Sequence, residues 1–108
     1  MSGFELTQAG AKAIAEAVAG LPGIAGMYGG SYGEISLLYP GERIKGLRKA
    51  HVQDDTHLEI FVIADLSAQG GLEKATPLRD LTPQIREAVQ SACPEITTVD
   101  VIFADVSA

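Results

Sequence analysis

His57-Leu58-Glu59-Ile60-Phe61-Val62-Ile63-Ala64-Asp65-Leu66 alternates in character residue by residue. Successive side chains of a β-strand point to opposite faces, so a period of two is the signature of a strand. Leu58, Ile60, Val62, Ala64 and Leu66 fall on one face, and Glu59, Phe61, Ile63 and Asp65 on the other. Phe61 and Ile63 make even the second face apolar at its centre. That pattern predicts either a central strand or a sheet whose outer face meets a partner.

Beyond this strand, the polar, glycine-containing stretch from Ser67 to Ala75 reads as a loop. A helix follows, starting at Thr76-Pro77 or at Thr82-Pro83, since each pair sets proline at a first helical position behind a threonine cap. The earlier start would leave Pro83 inside the helix as a kink. Leu78, Leu81, Ile85, Ala88, Val89 and Ala92 form its apolar stripe, and Pro94 closes it. Thr97 to Val106 reads as the last strand. Arriving after a helix, it can pair in parallel through a right-handed crossover.

On the N-terminal side, Asp54-Asp55 reads as a turn and Arg43 to Val52 as a polar strand. Pro40-Gly41 is a second turn, preceded by a strand from Glu34 to Tyr39 and a short one from Ile24 to Tyr28. Leu6 to Leu21 is a helix with Thr7 as its N-cap; Gly20-Leu21-Pro22-Gly23 ends it, through a left-handed glycine and a proline that cannot continue it. The order α-β-β-β-α-β predicts one α+β domain over residues 1–108. In it, two helices pack on one face of a mainly antiparallel sheet of three to four strands.

The composition suits that domain. In 108 residues, 46% are hydrophobic and 20% charged, enough for one core between two layers without disulfide or metal. Eight basic against fourteen acidic residues leave a net charge of −6, which argues against nucleic acid as the partner. A single cysteine, Cys93, rules out an internal disulfide. No signal-like start and no membrane-length apolar run are seen, so a cytoplasmic location is expected.

The sequence offers little to carry catalysis. His51 and His57 flank Asp54-Asp55, a set that could approach a metal but lacks a second spaced ligand pair; polar turn residues are the better account. Cys93 sits at a helix C-terminus, where the helix dipole disfavours a thiolate. Gly29-Gly30-Ser31-Tyr32-Gly33 has no lysine and helix behind it, as a phosphate loop requires. Gly20 to Gly23 matches the Gly-x-x-Gly of an RNA-binding KH domain in spacing alone. No catalytic residue, cofactor or metal is therefore expected.

One cluster stands out. Arg43, Lys45, Arg48 and Lys49 gather half of the basic residues into seven positions. Read as one strand, Arg43, Lys45 and Lys49 share a face and Arg48 takes the other. Basic residues also protect edge strands from aggregation, and that is the plainer reading; a docking patch for an acidic partner or for lipid headgroups is the sharper one. With Phe61 and Ile63, these four are the candidate partner-binding residues.

Three stretches carry a family resemblance. They are Leu21-Pro22-Gly23-Ile24-Ala25, Tyr39-Pro40-Gly41-Glu42-Arg43-Ile44-Lys45-Gly46-Leu47-Arg48, and Thr98-Val99-Asp100-Val101-Ile102-Phe103-Ala104-Asp105-Val106. In order and pattern they resemble the alkaline shock, or envelope stress response, protein family, particularly its small actinobacterial members. The resemblance implies a cytoplasmic, non-enzymatic protein that self-associates or binds a membrane-anchored protein partner near the inner face of the cell envelope. It supplies no catalytic residues. The expectation is thus a scaffold or adaptor that forms a homo-oligomer or holds a partner. The alternatives are a small-molecule-binding domain or minor enzyme, with a pocket between Gly29–Gly33 and the His51–His57 hairpin, and a KH-like RNA-binding module.

Overall fold

The computed structural model describes residues 4–65 and 78–107. Leu66, the stretch from Ser67 to Ala75 and the Thr76-Pro77 pair lie outside them, as does the side chain of Leu78. Helix α1 (Gln8–Ala19) begins where expected, with the Thr7 hydroxyl accepting the Gly10 N–H at 3.1 Å. Leu6 lies just ahead of the cap rather than inside the helix. It is buried in the same cluster as Ala11, which fixes the entry of the chain. At the other end Gly20 stays right-handed (φ −82°), and Gly23, at φ +90°, makes the reversal into the first strand.

Strands β1 (Ile24–Met27), β2 (Ser36–Tyr39), β3 (Glu42–Lys45), β4 (Leu47–His51) and β5 (Asp54–Asp65) follow, then helix α2 (Leu78–Ala92) and strand β6 (Thr98–Ser107). Five strands thus stand between the helices where three or four were expected. The fold class is nonetheless α+β with a mostly antiparallel sheet. Pro83 lies within α2, as the earlier of the two helix starts requires.

Strand β5 is the axis of the sheet. Along one flank it pairs antiparallel with β4 (Leu47↔Ile60, Lys49↔Leu58) and, further along, with β1 (Met27↔Val62, Ile24↔Ala64). Two short strands therefore share one side of a long one. Along the other flank β6 runs parallel, from His57↔Thr98 to Asp65↔Ser107, with a register shift that leaves Ala104 as an extra residue. β2 and β3 form a separate hairpin closed by Pro40-Gly41, where Gly41 at φ +77° suits the third position of a type II turn.

The stretch expected as one strand from Arg43 to Val52 is two, broken at Gly46. Gly46 has φ +88°; its N–H donates to the Ile35 carbonyl and its carbonyl accepts from the Phe61 N–H, both at 2.8 Å. It pins the hairpin to the sheet axis at the point where β1 stops and β4 starts. The Asp54-Asp55 pair also differs from expectation. The turn is made by Val52 and Gln53, and both aspartates belong to β5, in the irregular stretch opposite Ala50.

The core lies on one face of the sheet. Ile14 and Val18 of α1 and Leu81, Ile85 and Val89 of α2 pack with Leu58, Ile60 and Val62 of β5, nearly all fully buried. Burial of side chains of this size stabilises by roughly 1.5–3 kcal/mol each. Ile44 and Leu37 carry the hairpin into the same core, and among the described residues no polar side chain is buried in it.

Candidate functional site

Both helices take the Leu58–Ile60–Val62 face of β5, and the opposite face carries no helix among the described residues. Its centre is Phe61, followed by Ile63. Tyr28 lies beside Phe61, its N–H donating to the Phe61 carbonyl at 2.9 Å, and Ile102 of β6 stands opposite on the other flank. Phe61 is 7% exposed although it faces away from the helices, and the Arg48 guanidinium lies 4.8 Å from its ring centre. Such a stack is worth about 0.5–1 kcal/mol at an exposed site. Ile63 is the more accessible of the pair. It sits between Gly26, which offers no side chain, and exposed Asp105.

Charged residues border this apolar strip. Arg48 meets Glu59 at 2.8 Å, and Glu59 lies opposite Asp100 of β6. Asp100 is in turn bonded to His57 Nε2 at 2.6 Å. Arg48, Glu59 and Asp100 form a row across three strands. The two carboxylates stand side by side, each steadied by a neighbour of the other sign or by an imidazole. The His51 and His57 rings do approach, at 5.4 Å between centres. Among the described residues no group of three or more His, Cys, Asp or Glu side chains is placed to hold a metal ion.

The basic quartet is dispersed. Arg43 and Lys45 project from the outward side of the β2–β3 hairpin, on either side of buried Ile44, with no carboxylate partner among the described residues. Arg48 alone joins Phe61 and Ile63 on the open face. Lys49 points to the other side of the sheet, opposite Leu58, and bonds Asp55 at 3.1 Å. The break at Gly46 causes this, because it separates residues that a continuous strand would have aligned.

The Gly29–Gly33 stretch, expected to border a pocket, is closely packed on the residue that follows it. That loop is folded around the Glu34 carboxylate, which accepts the Tyr32 N–H at 3.0 Å. The backbone N–H groups of Glu34, Tyr32 and Ser31 hold the carboxyl below its ordinary range. A cleft of about 610 Å³ lies elsewhere, between the N-terminal segment and the hairpin, walled by Phe4, Leu37, Tyr39, Lys49 and Asp55. Its polar groups already serve one another. Asp55 accepts from the Leu6 N–H at 2.7 Å as well as from Lys49, and the Tyr39 hydroxyl donates to the Leu6 carbonyl at 3.0 Å. Burial, followed by the charges of Asp55 and Glu5, pushes the Tyr39 hydroxyl up.

Two other candidates from the sequence have structural places. Gly20–Gly23 joins α1 to β1, and the Gly23 carbonyl accepts the Asp65 N–H at 2.8 Å, which ties that segment to the sheet. The thiol of Cys93 is buried and pushed up, first by that burial and then by Glu95. No helix among the described residues is long and apolar enough to cross a membrane.

No protein-family model matches the chain, and no curated protein or solved structure is significantly similar to it. The likeness to the alkaline shock proteins therefore rests on its three sequence stretches.

Proposed function

We propose that this domain is a non-enzymatic scaffold or adaptor that works through the helix-free face of its sheet. The observation that carries the reading is the strip of Tyr28, Phe61, Ile63 and Ile102 on that face, bordered by Arg48, Glu59 and Asp100. An apolar centre within a polar rim is the anatomy of a protein-binding patch. The groups best suited to chemistry are engaged in holding the fold instead: His57 with Asp100, Asp54 with Thr56, Asp55 with Leu6 and Lys49. The resemblance to envelope stress response proteins extends the proposal to its setting. There the domain would self-associate, or bind a membrane-anchored protein, in the cytoplasm near the cell envelope.

Light scattering over a wide concentration range reports self-association, and retention of cell proteins on the immobilised domain reports heterologous binding. Ile63→Thr keeps a β-branched residue on the strand and removes apolar contact from the face. At least one of the two activities is expected, and this variant should weaken it. A strict monomer retaining the same proteins with and without the substitution would overturn the reading. The cleft beside Tyr39 supplies the competing one, a small-ligand site. A rise in melting temperature with a metabolite, suppressed by Lys49→Met, would favour it.

A further inference from the structure

The proposed adaptor function leaves open how a partner would be gripped, and strand β6 bears on that question. It is bonded to β5 along one side from Thr98 to Ser107, and among the described residues no strand pairs with its other side. Among the described residues its first part is tied down there, by Arg86 Nε donating to the Val99 carbonyl at 3.0 Å. From Val101 onward the strand is half-buried and then exposed, with Val106 at 54%. A free edge of this length is a template for another strand, and natural edges carry devices that decide which strand is accepted.

The device here is charge. On the helix-free face β6 presents Asp100, Ile102 and Asp105, which lie opposite Glu59, Phe61 and Ile63 of β5. The row Arg48, Glu59, Asp100 runs positive, negative, negative and then stops at the edge. Asp105 uses one oxygen to accept the Val106 N–H at 2.8 Å and has no cation partner among the described residues. A second copy of the chain is a poor occupant. Antiparallel pairing of two β6 strands about Ile102 and Phe103 would set Asp100 of each against Asp105 of the other, and like charges directly opposite are destabilising. Asp100 meets His57 through Oδ2; a cation opposite its other oxygen would complete the row, and the acidic domain would attract it from a distance.

We infer that the free edge of β6 is a strand-addition site for an extended, basic segment of another protein, with Lys or Arg flanking an apolar residue at alternate positions. The backbone supplies the hydrogen bonds of a fifth strand. Asp100 and Asp105 take the two cations, and Ile102 takes the apolar residue between them. This inference rests on the adaptor reading and shares Asp100 and Ile102 with its patch, but the grip it adds is the backbone edge of β6 rather than the face of the sheet.

The test uses the full chain and a labelled synthetic peptide, Thr-Lys-Thr-Val-Thr-Lys-Thr, followed by fluorescence anisotropy at low salt. Binding is expected, with amide shifts in β6. It should fall about fivefold or more with Asp100→Asn and Asp105→Asn together, on the scale of two cross-strand charge pairs. It should be abolished when both lysines become glutamate, and also when alternate peptide nitrogens are methylated so that they cannot donate. Peptide binding that survives methylation would show charge attraction without strand addition and overturn the inference. Absence of binding would overturn it too. If Ile63→Thr still weakens self-association or partner retention in that case, the adaptor reading stands without this edge.

Discussion

Gly46→Ala tests how the hairpin, β1 and β5 are joined. Gly46 has φ +88°, which an L-residue adopts at a cost of about 1–2 kcal/mol. A Cβ there would also lie 2.7 Å from the Met27 Cβ and 3.0 Å from the Phe61 carbonyl oxygen. Neither atom is the end of a flexible chain, so β1 or β5 would have to shift. Forcing atoms into packed space costs about 1–3 kcal/mol more. The whole penalty is then about 2–5 kcal/mol, a large part of the roughly 5–15 kcal/mol that holds a domain folded. Gly41→Ala is the control. Gly41 also has positive φ (+77°) but no atom within 4 Å of its added Cβ, so only the backbone part remains. In urea unfolding with a slope of about 1.5 kcal/mol/M, the Gly46 midpoint should fall by roughly 1.5–3 M and the Gly41 midpoint by about 1 M. Equal losses in the two variants would refute the account of the joint.

The other expectations concern single groups. Asp54 is held below the ordinary carboxylate range first by the Thr56 hydroxyl, 2.6 Å away, and then by the Thr56 N–H. A depressed carboxyl contributes stability above its unfolded pKa and loses it as pH falls through the folded one. Thr56→Val should therefore raise the Asp54 pKa and start the acid-side loss of stability at higher pH. A carboxyl-carbon NMR titration that leaves Asp54 unmoved would contradict this. Cys93, 7% exposed with its thiol pushed up by burial, should resist a thiol reagent at neutral pH until denaturant is added. Prompt reaction in the native state would show the thiol to be open.

The elements with an unbroken period were legible in the sequence. Alternation from His57 onward marks β5 and its two faces, and the apolar stripe through Leu81, Ile85 and Val89 marks α2 and its buried side. What escaped was register. Glu42-Arg43-Ile44-Lys45-Gly46-Leu47-Arg48 keeps a strand-like alternation across Gly46, yet the chain leaves one sheet and enters another there. An isolated glycine inside a strand pattern was the available signal. Missing it set Lys49 beside Arg43 on paper, whereas in the fold it pairs with Asp55. The row Arg48, Glu59, Asp100 could not be read at all. It depends on the parallel alignment of β6 with β5, which no local pattern encodes.

The sharing of one flank of β5 by two strands also bears on how the chain assembles. β4 reaches β5 across the short Val52-Gln53 turn, so that pairing needs little loop closure. Between Met27 and Val62 the chain runs through the glycine loop, the β2–β3 hairpin, the Gly46 joint and β4, so that pairing closes a much longer loop. The first half of the flank is thus a local event and the second a distant one, on the same strand. The lower half of β5 can act as the nucleus. The segment from Val62 to Ala64 depends on distant pairings along both flanks, with β1 on one side and β6 on the other.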